Sequence, residues 1–104
     1  VHDLNETVLE EAQRLISNDR NRSYDHPLDN FSRIATIWSV LLGIEVTPEQ
    51  VGLCMAGLKL ARQTFKHSRD NLVDGAGYLG TIDMVIQERE RREARNLIII
   101  KTDK

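Results

Sequence analysis

The sequence predicts an all-α fold: a four-helix antiparallel bundle, oligomeric, with a short extended C-terminal arm. Three observations predict it. Apolar residues recur at offsets of three and four over long segments, which is the period of a helix face. Start and stop signals stand at the ends of those segments, in Pro27, Gly43 and Thr47-Pro48-Glu49-Gln50. The loops between them are short, apart from one long polar loop, as between antiparallel neighbours in a bundle.

A chain of 104 residues is expected to form one domain. Residues 1–95 would be the helical body and 96–104 the arm. A core this small is modest, so burial against a second copy is favourable, and a homo-oligomer is expected.

The first helix is expected from about Asn5 to Ser17, with Asn5 as cap and Glu6 in the first turn, where the helix dipole favours an acid. Val8, Leu9, Ala12, Leu15 and Ile16 would form its buried face, with Glu10, Glu11 and Arg14 on the polar side. A polar loop from Asn18 to Pro27 follows. His26 precedes proline and is therefore expected to be extended.

The second helix runs from Leu28 to Leu42, burying Leu28, Phe31, Ile34, Ala35, Trp38, Leu41 and Leu42, and Gly43 ends it. The third begins at the Thr47-Pro48-Glu49-Gln50 capping box and continues to about Phe65. Val51, Cys54, Met55, Leu58 and Ala61 share one face, widened by Leu53, Ala56 and Leu60. Cys54 is expected to be a small buried hydrophobe.

The fourth helix spans about Asp70 to Ala94, through a charged end ERERREAR. Gly75, Gly77 and Gly80 are costly inside it, and point either to tight packing or to close approach of another backbone or a ligand. Asn96-Leu97-Ile98-Ile99-Ile100 is a β-branched run, expected as a strand or extended arm that pairs with the same segment of another copy.

Charge narrows the function. Fourteen basic against sixteen acidic residues give a net charge of −2, which speaks against a duplex nucleic-acid binder but leaves room for a small basic pocket. No apolar run approaches the ~20 residues of a membrane span, and no signal peptide is visible. One cysteine allows no internal disulfide, so a cytoplasmic setting is expected.

The chemistry concentrates in the loop and the start of the second helix. Arg20, Arg22, Tyr24, His26, Asn30 and Arg33 crowd there, and Lys59 and Arg62 on the third helix can face them. Arginine forks match phosphate oxygens, and a tyrosine can contact a base or sugar. The same charges can instead pair with Asp19, Asp25, Asp29 and Asp74 and merely fix the loop. Asp70 and Asp74, spaced i and i+4, can place two carboxylates on one magnesium, with Glu10 or Glu11 as further oxygen ligands. His2, His26 and His67 have no zinc spacing, Ser23 and Ser32 lack an elbow motif, and no glycine-rich phosphate loop is present.

Several motifs together resemble a family of small phage and prophage proteins of unknown function. They are Asp19-Arg20, Tyr24-Asp25-His26-Pro27, Asn30-Phe31-Ser32-Arg33-Ile34-Ala35 with Trp38, Thr47-Pro48-Glu49, Lys59-Leu60-Ala61-Arg62, and Asp70 through Asp74 to Gly77-Tyr78. The resemblance covers residues 8–86 and implies a phage setting without an activity. More distantly, the chain is similar to the all-α nucleoside triphosphate pyrophosphatases of the MazG type. That similarity implies an oligomeric helical bundle that binds magnesium through acids on two helices and cleaves nucleotides between the α and β phosphates. Here Glu10-Glu11 is followed by Arg14 where that family has a third acid, and Asp70/Asp74 replaces a Glu-x-x-Asp pair. No catalytic residue is carried over.

The expectation is a phage-encoded helical protein that binds a nucleotide or another phosphate-bearing small molecule, with nucleoside triphosphate hydrolysis as its enzymatic form. The alternatives are a non-enzymatic nucleotide-sequestering protein and a host-protein-binding protein.

Overall fold

The computed structural model describes residues 5–19 and 25–102. It is all-α, with no strand among the described residues. Helix α1 spans Val8–Arg14 and widens into a π turn, Leu15–Asp19. Helices α2 (Pro27–Leu42), α3 (Pro48–Phe65) and α4 (Arg69–Thr102) follow.

Local chemistry sets the helix starts. Thr7, not Asn5, caps α1: its hydroxyl accepts from the Glu10 N–H at 3.1 Å, and the Glu10 carboxylate accepts from the Thr7 N–H at 2.9 Å. This reciprocal box satisfies two orphan donors, which a lone asparagine cap does not. Thr47 and Gln50 make the same box at α3, with Pro48 in the first turn. At α2 the cap is His26, extended as the following proline requires, whose Nδ1 accepts from the Leu28 N–H at 3.0 Å. Gly43 closes α2 at φ 70°, a left-handed conformation that glycine adopts without strain. The Ser39 hydroxyl accepts from the Val46 N–H at 2.8 Å and so pins the α2–α3 loop.

Helix α4 is the spine. It packs against every other helix and the π turn, whereas among the described residues α1 touches only α4 and its own continuation. Helices α3 and α4 run antiparallel, paired by Glu49 with Arg89, Gly52 with Ile82, Lys59 with Asp74, and Gln63 with Asn71. The core joins Phe31 and Ala35 of α2 to Val51 of α3 and Val85 of α4, flanked by Leu28, Ile34, Trp38, Val46, Met55 and Tyr78. The molecule is flat, 57 × 38 × 18 Å. Its radius of gyration is 16.4 Å, against about 13 Å for a compact chain of this length.

Three further expectations are corrected. Residues 96–100 are not a strand or extended arm; they continue α4, and Leu97, Ile98, Ile99 and Ile100 are exposed on it. Extending a formed helix adds a hydrogen bond per residue, which outweighs the small helix penalty of isoleucine. The buried side of α3 is Val51, Gly52 and Ala56, with Met55, Lys59 and Gln63 half-buried, so Cys54, Leu58 and Ala61 are turned outward. Small Gly52 and Ala56 let α4 approach: a Cβ on Gly52 would lie 2.5 Å from Ile82 Cγ1. Leu9 on α1 and Leu41 and Leu42 at the end of α2 are also exposed. The glycines of α4 serve packing: a Cβ on Gly77 or Gly80 would meet Ile16 of the π turn at 3.4 or 2.8 Å.

Candidate functional site

The first turn of α2 lies against the C-terminal third of α4. Asp25 takes a left-handed backbone, φ 66°, which aspartate tolerates better than most residues. Its carboxylate accepts from Arg33 Nη2 at 3.1 Å, and both partners are well exposed. His26 uses Nδ1 for the helix cap, which leaves Nε2 as the nitrogen that can donate. Asn30 is half-buried one turn on, with its backbone N–H on the His26 carbonyl.

Beside them Asp29 accepts both terminal nitrogens of Arg92, at 2.8 and 2.9 Å. Arg92 Nε donates to Glu88 at 2.9 Å, and Glu88 also accepts from Arg91 and Arg95. The Arg92 hydrogen bond holds Asp29 below its ordinary 3.8, opposed by burial and aided by the charges of Arg92, His26 and Arg33. The same guanidinium, then Arg91 and the charge of His26, lower Glu88. Asp29 and Glu88 in turn raise Arg92.

A second polar locus lies at the other end of α4. Lys59 Nζ is 3.0 Å from Asp74 Oδ2, with the lysine the more buried partner. Arg62 and Asp70 are exposed nearby in sequence on α3 and α4. Glu11 and the Glu6 carbonyl accept from Arg69 at 3.1 and 2.8 Å, and Glu6 also accepts from Arg14 at 3.0 and 3.2 Å. The acids of α1 therefore tie it to the start of α4. No cluster of three or more His, Cys, Asp or Glu side chains able to hold a metal occurs among the described residues. Asp70 and Asp74 together supply two carboxylates, one of them engaged by Lys59.

The candidate residues thus fall into two groups. His26, Asn30 and Arg33 gather at the start of α2. Lys59, Arg62, Asp70 and Asp74 belong to the other, and Asp74 is about 21 Å along α4 from Glu88 at 1.5 Å per residue. Arg20, Arg22 and Tyr24 lie outside the described residues. Sequence reasoning missed Arg89 and Arg92, taking their segment as a solvated helix end. The signal available was their i, i+3 spacing on one face, with Glu88 four before Arg92.

A model of the family described as "Domain of unknown function (DUF6378)" matches residues 7–86. The Gene 55 protein of Mycobacterium phage D29 is 39% identical over 93 residues, covering 88% of this chain and 62% of that protein. The Gene 55 protein of Mycobacterium phage L5 is 38% identical over 88 residues, covering 82% of this chain and 56% of that protein. The chain therefore spans less than two thirds of these relatives. No solved structure matches it. No described helix is long and apolar enough to cross a membrane.

Proposed function

The chain belongs to the DUF6378 family and is similar to phage-encoded proteins, and we propose that it binds a phosphate-bearing small molecule, a nucleotide foremost, at the start of α2. The observation that carries this reading is the state of Arg33. Its partner Asp25 is exposed and so is the arginine, and an exposed ion pair is worth little, about 0–1 kcal/mol. Arg33 can therefore exchange that carboxylate for a phosphate at small cost, near the positive dipole end of α2. His26 Nε2 and the Asn30 amide add donors, and Arg20, Arg22 and Tyr24 of the preceding loop would complete contacts to phosphate and base. Asp29, by contrast, is committed to Arg92 and does not repel the ligand as a free carboxylate would.

Lys59, Arg62, Asp70 and Asp74 enter only in the enzymatic form of this reading. There, Asp70 and Asp74 would hold magnesium, which polarises a phosphate and activates water, with Asp74 released from Lys59. Binding without turnover is the simpler form, a sequestering protein.

A thermal-shift screen of ribo-, deoxyribo- and cyclic nucleotides, each with and without magnesium, tests the proposal. Ligand at a hundred times its dissociation constant adds about 2.7 kcal/mol, a clear rise in midpoint. The rise should vanish in Arg33→Ala. A shift that requires magnesium selects the enzymatic form and calls for a turnover assay; no shift with any nucleotide overturns the proposal.

A second reading has its own observation. Leu97 to Ile100 form an exposed apolar surface on the end of α4, which suits capture of a host protein. Truncation after Ala94 that leaves partner capture from infected cells intact would remove it.

A further inference from the structure

We infer that the outer face of α3 is a homodimer interface, formed by two copies of α3 packed antiparallel across Gly57. The six glycines lead to it. Gly43 supplies a left-handed turn, Gly52 lies under Ile82, Gly75 lies against Lys59, and Gly77 and Gly80 lie against Ile16. Gly57 is in mid-helix with nothing among the described residues within 4 Å of where its Cβ would be. Glycine is the worst choice for a helix interior after proline, and nothing in the single chain accounts for it there.

The residues around Gly57 show what would. Cys54 and Ala61, three before and four after, are small and exposed. Leu53 and Leu60 stand beside them at 57% and 64% exposure, and Phe65 ends the face at 91%. The opposite side of α3, through Gly52, Ala56 and Lys59, is the one packed on α4. A shallow small-residue groove between leucine ridges fits another helix at close range.

The occupant is a second copy because charge along the helix is self-complementary: Glu45 precedes α3 and Lys66 follows it, both exposed. An antiparallel pair about a twofold axis brings each Glu45 to the Lys66 end of the other copy and opposes the two helix dipoles.

Sedimentation of the chain and three variants tests this. Wild type and Ile98→Glu, which alters the α4 end, should sediment as dimers at tens of micromolar. Gly57→Gln and Leu60→Glu should sediment as monomers with unchanged helical circular dichroism, since position 57 is open among the described residues and Leu60 is 64% exposed. A maleimide reagent provides an independent readout through Cys54, the one cysteine, which the interface would cover: it should label Gly57→Gln faster than wild type. A monomeric wild type, or a dimer that survives both α3 substitutions, overturns the inference.

Discussion

Arg92 grips Asp29 with both terminal nitrogens, at 2.8 and 2.9 Å, across 63 residues of chain. The pair fastens the start of α2 to α4 beside the proposed ligand site. Both side chains are more than a third exposed, 37% and 41%, so water screens much of their attraction. Arg92→Met should therefore lower the melting midpoint only slightly, which calorimetry measures. An unchanged midpoint would make the clamp ornamental to stability.

Acid should weaken the fold in a definite window. Asp29 and Glu49 have folded pKa values below their ordinary 3.8 and 4.5, through Arg92 and Arg89 respectively. A lowered folded pKa contributes stability that is full above the unfolded value and is lost as pH falls through the folded one. Glu88 shifts in the same direction. The urea midpoint should hold from pH 7 to 5 and fall progressively below pH 4.5. The double variant Arg89→Met/Arg92→Met should show a flatter decline; an equally steep one would assign acid sensitivity to other groups.

His26 has separable duties. Its Nδ1 caps α2, so His26→Ala should cost about 1 kcal/mol, as loss of a helix cap does. His26→Asn restores a capping oxygen and should recover that stability. If Nε2 also contacts phosphate, the asparagine variant will melt like wild type yet show a reduced nucleotide-induced shift. Equal shifts in both proteins would confine His26 to capping.

Two glycine substitutions should diverge although both favour helix by about 1 kcal/mol. In Gly52→Ala the new Cβ meets Ile82 Cγ1 at 2.5 Å, an atom close to the α4 backbone. The cost of overpacking, about 1–3 kcal/mol, should prevail and lower stability. In Gly80→Ala the obstacle is Ile16 Cδ1 at 2.8 Å, the free end of a side chain that can turn aside. That variant should stay within about 1 kcal/mol of wild type. Chemical denaturation of the pair distinguishes them, and equal losses would contradict this account of α3–α4 contact.

Asp74 distinguishes structure from chemistry at the far end of α4. Lys59 is its more buried partner, 16% exposed against 40%. Asp74→Ala leaves that ammonium without its carboxylate and should cost about 1 kcal/mol, whereas exposed Asp70→Ala should be near neutral. If both substitutions abolish a magnesium-dependent nucleotide shift while the proteins remain folded, the two carboxylates form a metal site. Retention of the shift in Asp74→Ala assigns Asp74 to the ion pair alone.

The sequence by itself determined the helices and their punctuation. Thr47 with Gln50, Pro27 and Gly43 act within four residues of where they stand, so their effect needs no knowledge of the rest of the chain. The Thr7-Val8-Leu9-Glu10 box is just as local, yet the cap expected from sequence is Asn5. Tertiary structure alone decided which side of α3 is buried. That helix is apolar nearly all round, and the decision fell to Gly52 and Ala56, whose small size lets α4 close in and turns Cys54, Leu58 and Leu60 outward. The fate of residues 96–100 was local instead: their β-branched pattern yields to a helix already running from Arg69. The partners of Arg89 and Arg92, 40 and 63 residues away, could not be found along the chain. A long-range ion pair depends on how whole helices dock, and that docking is set by side-chain volume and shape, which periodicity does not carry.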